Sequence, residues 1–296
     1  MNRPVAIVPP VGGSGVAIVT DSTAYLPVEL ATSVGVTVVP VEVVIGGVPH
    51  DEGTEISPAD VAQALRDFTP VTTSRIPPQR MADVYRELAA SGATSVVSVH
   101  LSSSLSGTYH SAVLAADEAS IPVFPVDSRT IGMGLGFPVL HAAELANSGS
   151  SAADVAEAVL RAAASGSTFF YVDTLEYLRR GGRINARSAL LGSALAVKPI
   201  LSIVDGEVAS IERVRTASRA LARLEELTVN AAGPVRVDVA VGHLEAAERA
   251  DALAERLADR LDVRRLVVYE VGAVVGAHVG PGMVSTAVVP VDPAAS

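Results

Sequence analysis

Five polar clusters in this chain have residue types and spacing that could do chemistry. Thr20-Asp21-Ser22-Thr23 directly follows the apolar run Val16 to Val19, and reads as a strand end plus helix cap or as part of a ligand site. Thr72-Thr73-Ser74 places three hydroxyls ahead of Pro77-Pro78, where they suit an anion or an ordinary loop. The run His100-Leu101-Ser102-Ser103-Ser104-Leu105-Ser106-Gly107-Thr108 lies between a strand and a helix. Hydroxyls and unpaired backbone N–H groups at a helix start hold an anion without net charge, and four serines in this short run exceed what capping requires. Gly276-Ala277-His278-Val279-Gly280-Pro281-Gly282 reads as a tight Gly/Pro turn holding one histidine between two strands. No second histidine stands at ligand spacing, which argues against a metal. Glu176 to Arg187 carries four Arg against one Glu, and its Gly181-Gly182 break favours a docking or phosphate-contacting surface over a plain helix. An Arg180 to Glu176 salt bridge is the structural alternative there.

The elements that must position these residues follow from periodicity. Residues 16–19, 36–45, 95–99 and 122–126 are β-branched runs bounded by turn residues, expected to be buried strands. Met81, Val84, Tyr85 and Leu88, and likewise Val61, Leu65 and Phe68, repeat at helical spacing, the second set behind a Ser57-Pro58-Ala59-Asp60 start signal. Alternation of strands and helices predicts a parallel α/β sheet. A helix carrying Val155, Val159 and Leu160 is flanked by Ser/Gly/Ala-rich stretches, and the domain boundary is expected near 166. That gives an N-terminal α/β domain over 1–165 and a C-terminal mixed α+β domain over 166–296. In the latter, strands are expected at 168–172, 199–204, 207–214, 235–241, 264–271 and 284–289, with a hairpin at Asp205-Gly206 and a helix on Leu253, Leu257 and Leu261. Gly132-Met133-Gly134-Leu135-Gly136 lacks the G-x-G-x-x-G spacing and is no dinucleotide loop.

Composition narrows the function classes. The chain has 296 residues, 49% of them hydrophobic, and a mean hydropathy of +0.40. Asp plus Glu exceed Lys plus Arg by 32 − 22 = 10, so the long-range field repels nucleic acid and anionic membrane surfaces. Zero Cys excludes disulfides, iron–sulfur clusters and thiolate zinc sites. Aromatics at 4% and no Trp disfavour stacking platforms for bases or sugars. The apolar runs are short, and Pro9, Pro10 and Gly12 to Gly15 break the first of them, so neither a membrane span nor a secretory signal is expected and the cytoplasm is.

In order along the chain, TDS at 20–22, TTS at 72–74, HLSSSLSGTYHSA at 100–112, DTLEYLRRGGRI at 173–184, KPIL at 198–201 and GAHVGPG at 276–282 closely resemble the DegV family. The resemblance runs from about residue 16 onward. It leaves residues 1–15 as an extension, and the family's usual Gln after TTS is Arg75 here. The resemblance implies a two-domain carrier that buries a long-chain fatty acid, needs no cofactor and has no catalysis of its own. It implies that Thr73, Ser103 with neighbouring Ser102, and His278 hold the carboxylate. Arg180 and Arg183 would meet a fatty acid kinase or its incoming phosphate, as the kinase makes an acyl phosphate for phospholipid metabolism. The competing reading is an acyl-transfer or hydrolytic enzyme with a nucleophile among Ser102 to Ser106 and His100 or His278 as base, although no G-x-S-x-G elbow is present.

Overall fold

The computed structural model describes residues 5–184 and 197–291. Its contacts divide the chain into unit 1, Met1–Glu42 with Ser74–Ala164, and unit 2, Val43–Thr73 with Ser165–Ser296. The chain starts in unit 1 with β1 (Val16–Asp21), α1 (Val28–Val34) and β2 (Val36–Val39). It leaves through β3 (Glu42–Ile45), β4 (Val48–Asp51), α2 (Pro58–Arg66) and β5 (Val71–Ser74). It returns for α3 (Pro78–Ala90), β6 (Ser95–His100), α4 (Thr108–Ala116), β7 (Val123–Asp127), α5 (Met133–Asn147) and α6 (Ala152–Ser165). Unit 2 is then completed by β8 (Ser167–Tyr171), α7 (Glu176–Arg180), β9 (Lys198–Val204), β10 (Glu207–Val214) and α8 (Ala217–Ala232), followed by β11 (Val237–His243), α9 (Ala247–Arg260), β12 (Val263–Glu270), α10 (Ala273–Val279) and β13 (Val284–Pro290).

Unit 1 is built on a four-stranded parallel sheet in the order β2-β1-β6-β7. Ile18, Val97 and Val99 of the sheet join Leu135 and Val139 of α5 and Val155 and Val159 of α6 in one apolar core. The glycine-rich start of α5 serves packing: a Cβ on Gly136 would lie 2.6 Å from the Ala24 carbonyl oxygen, so glycine lets the helix close on the turn after β1.

Unit 2 is built on a six-stranded mixed sheet, β10-β9-β8-β13-β11-β12, in which only β11 and β12 pair in parallel. Leu224 of α8 and Leu253 and Leu257 of α9 cluster with Val239, Val241 and Val284 of the sheet. Asp205 and Gly206 both take positive φ, 52° and 85°, as a two-residue hairpin demands. A small sheet, β4-β3-β5, and α2 complete the unit. Ser57 and Asp60 form a reciprocal capping box at the start of α2, Ser57 N–H to Asp60 Oδ2 at 2.9 Å and Asp60 N–H to Ser57 Oγ at 3.2 Å.

Three expectations are corrected. The segment 43–73, expected inside a continuous 1–165 domain, clusters with unit 2. The single strand expected over 36–45 is two strands, because Pro40 cannot donate to a ladder and the chain changes sheet there. Phe68, expected on the buried face of α2, lies beyond its end at φ 55° and is 84% exposed. Among the described residues no helix is long and apolar enough to cross a membrane.

Candidate functional site

Two of the residues singled out from sequence meet in unit 2. Gly276 to His278 are helical, and His278 occupies the last turn of α10, whereas the expected Gly/Pro turn begins only at Gly280 and holds positive φ at Gly280 and Gly282. Thr73 lies on strand β5 and not in a loop. Because 43–73 folds into unit 2, Thr73 Oγ1 reaches His278 Nε2 at 2.9 Å across 205 residues of sequence.

The other ring nitrogen of His278, Nδ1, is sealed from solvent without a hydrogen-bond partner. Gly181 seals it, and a Cβ at that position would collide with Nδ1. Burial, helped by the nearby Arg183 charge, pushes the His278 pKa down to about 4. The helix C-terminus favours the protonated ring, so desolvation outweighs the dipole here. An orphaned N–H is costlier than an orphaned lone pair, so the proton of the neutral ring belongs on Nε2 and is donated to Thr73 Oγ1. The Thr73 hydroxyl proton then has no acceptor among the described residues, which leaves a donor for an anion.

A cavity of about 430 Å³ opens beside this pair. Leu65, Phe68 and Val71 give it an apolar side; Thr73, His278, Arg180 and Arg183 give it a polar one. Helix α7 ends at Gly181, and Gly182, at φ 67°, turns the chain so that Arg180 and Arg183 both line the space. Arg180 Nε also bonds Glu176 Oε1 at 2.7 Å, while Arg179 takes the other oxygen at 2.6 Å, so the salt bridge weighed from the sequence is present. Arg183 Nη1 donates to the Gly181 carbonyl. Lys198 and Asp173, from the KPIL and DTL motifs, form an ion pair in the same unit. Asn185 to Arg187 lie outside the described residues.

Ser102 and Ser103 belong to unit 1, where much of their chemistry is structural. Buried Ser102 gives its N–H to the Thr130 carbonyl at 2.9 Å, and its Oγ accepts the Ser104 N–H at 3.3 Å. Ser103 donates both its N–H, at 3.1 Å, and its hydroxyl, at 2.5 Å, to the Asp127 carboxylate. A hydroxyl has one proton, so Ser103 can donate to a ligand only by releasing Asp127. Arg75 lays its side chain along Gly107 at the start of α4. The Ser103→Ala variant is expected to lose only about 1 kcal/mol, because Asp127 keeps the Ser103 and Arg129 N–H groups. Its urea midpoint checks this, and a loss above about 3 kcal/mol would make the serine an indispensable cap.

His100 is held at both ring nitrogens. Its Nδ1 bonds Asp21 Oδ2 at 3.0 Å and its Nε2 bonds Ser98 Oγ at 2.7 Å, with all three side chains buried. Asp21 also accepts from the N–H groups of Leu101, at 3.0 Å, and Thr23, at 3.1 Å, and from the Thr23 hydroxyl. The Tyr85 hydroxyl donates to Ser98 at 2.8 Å, and burial raises its pKa well above the ordinary tyrosine value. The histidine is thus the middle of a sealed network tying β1 to β6. Asp127 was not singled out from sequence, although it directly follows a predicted strand, the same position that marked the other clusters. Among the described residues no group of three metal-ligating side chains occurs.

Comparisons with known proteins match nearly the whole chain to one family. The model described as "Uncharacterised protein, DegV family" matches residues 15–291. A DegV domain-containing protein of Streptomyces coelicolor is 54% identical over 274 residues, 92% of this chain and 98% of its own. The solved structure of a fatty-acid-binding DegV family protein from Thermus thermophilus superposes with a TM-score of 0.88 at 36% identity, covering 93% of this chain and 99% of the other. A fatty-acid-binding DegV protein from Bacillus subtilis gives 0.86 at 33% identity, with the same coverage of both chains.

Proposed function

We propose, from the premise that this chain belongs to the DegV family, that it is a cytoplasmic, non-catalytic carrier of a long-chain fatty acid which it presents to a fatty acid kinase. The observation that supports this most is the Thr73–His278 pair, whose neutral histidine leaves a hydroxyl donor for a carboxylate beside a cavity with one apolar and one cationic side. Solved relatives at 33–36% identity are described as fatty-acid-binding. About fourteen buried methylenes at ~0.8 kcal/mol each supply about 11 kcal/mol, from which the association cost must be taken. A charge-assisted hydrogen bond adds about 1.5–3 kcal/mol, largely offset by desolvation of the carboxylate. The tail therefore supplies affinity and the head-group contacts supply orientation. Arg180 and Arg183 are the groups that would meet the kinase or its transferred phosphoryl group.

Native mass spectrometry of the purified protein is expected to show about one long-chain fatty acid per chain, and stripped protein is expected to take up palmitate with the same stoichiometry. A protein that arrives empty and takes up none overturns the carrier reading. With a fatty acid kinase added, Arg183→Ala is expected to keep its lipid and lose acyl-phosphate formation. Loss of the lipid instead would assign Arg183 to the head-group contact.

A further inference from the structure

We infer that Glu52 is the positioning residue of the Thr73–His278 pair, holding the first turn of α10 while Thr73 engages the last. The segment 43–73 meets this helix at three heights. Glu52 Oε1 accepts the Val274 N–H at 2.7 Å. Midway, Val61 of α2 lies against Gly276, where a Cβ would come within 3.8 Å of Val61 Cγ1. At the far end Thr73 Oγ1 meets His278 Nε2.

The helix needs such a hold. It has seven residues, too few to persist alone, and its N-cap, Gly272, offers no side chain to its unpaired N–H groups. Glu52, 4% exposed and remote in sequence, supplies the missing acceptor and brings a carboxylate to the positive end of the helix dipole. Val274 and His278 are four residues apart, about one helical turn, so a rigid helix fixed at Val274 fixes the height of the imidazole. That height matters at His278 because Gly181 closes over one ring nitrogen with no room to spare, Thr73 takes the other, and the facing charge is Arg183. Through Val274, Glu52 bears on the pair by way of the helix.

The inference rests on the reading of Thr73 and His278 as a head-group site, and two measurements keep them apart. The titration of His278, followed by NMR on histidine-labelled protein and assigned with H278Q, reports its position without any lipid. In the wild type it is expected near pH 4. In E52A it is expected to move up by at least one unit as water reaches the ring, with palmitate affinity falling about tenfold. In E52Q, whose amide oxygen still accepts from Val274, both are expected to stay near wild type. A folded E52A with an unmoved His278 titration overturns the inference, leaving Glu52 an ordinary structural acid. Should E52A fail to fold, E52D replaces it: the acceptor is drawn back by one methylene, and an unmoved titration there is equally decisive against the inference. A wild type that takes up no palmitate would remove the head-group reading alone.

Discussion

Replacing His100 by alanine lowers the stability of unit 1 by about 3–5 kcal/mol, the cost of breaking a buried hydrogen-bond network from one side and leaving a cavity. The change deletes the donor to Asp21 Oδ2 and the partner of Ser98 in a region with no solvent to replace either. The cavity lies between β1 and β6. Tyr85→Phe, which trims the outer end of the same chain of hydrogen bonds, is expected to cost about 1 kcal/mol. Hydrogen exchange of the β1 and β6 amides measures both in unit 1 alone, which matters because two units need not unfold together. A His100→Ala loss under about 1 kcal/mol would mean that the network is ornamental.

Acidification destabilises unit 2 through His278. Its folded pKa, about 4, lies below the ordinary histidine value of 6.5, so the unfolded chain takes up the proton first. Between those values the unfolded state binds more protons, and stability must rise with pH. The contribution is complete above pH 6.5 and fades as pH falls through the window. By pH 4 about 3 kcal/mol is gone, and the loss levels off about one pH unit lower. Urea midpoints measured from pH 7.5 to 4 are expected to fall more steeply for the wild type than for His278→Gln, which has no proton to bind. Parallel slopes would show that the ring is already solvated in the folded protein.

Features that depend on neighbours in sequence were readable from it. The capping box at Ser57 and Asp60, the hairpin at Asp205-Gly206 and the valine-rich strands each need only a few consecutive residues, so residue type and spacing decide them. The departures have long-range causes. Nothing local to 43–73 says that this stretch pairs with a helix more than 200 residues later, and so nothing local brings Thr73 to His278. The charge state of His278 depends on Gly181, which arrives from α7, and the Ser103 proton is drawn away by an acid 24 residues on. Pro40 is the exception: a proline inside a supposed ten-residue strand is a local signal that the strand ends. The candidate site was legible as a set of residue types, and its connections were not.

The sheet order of unit 2 sets a timetable for the newborn chain. β13, which follows every other strand in sequence, is an interior strand, between β8 and β11. Residues 43–73 leave the ribosome early but can complete their contacts with α10 only after some 200 further residues have followed. Unit 1, by contrast, is fully synthesised by residue 164, and its parallel sheet can close while the rest is still being made. Loop closure over such a span is entropically slow, so the Thr73–His278 pair belongs to the final steps of maturation. The pair therefore comes into being only once α10 has been made, long after its partner segment.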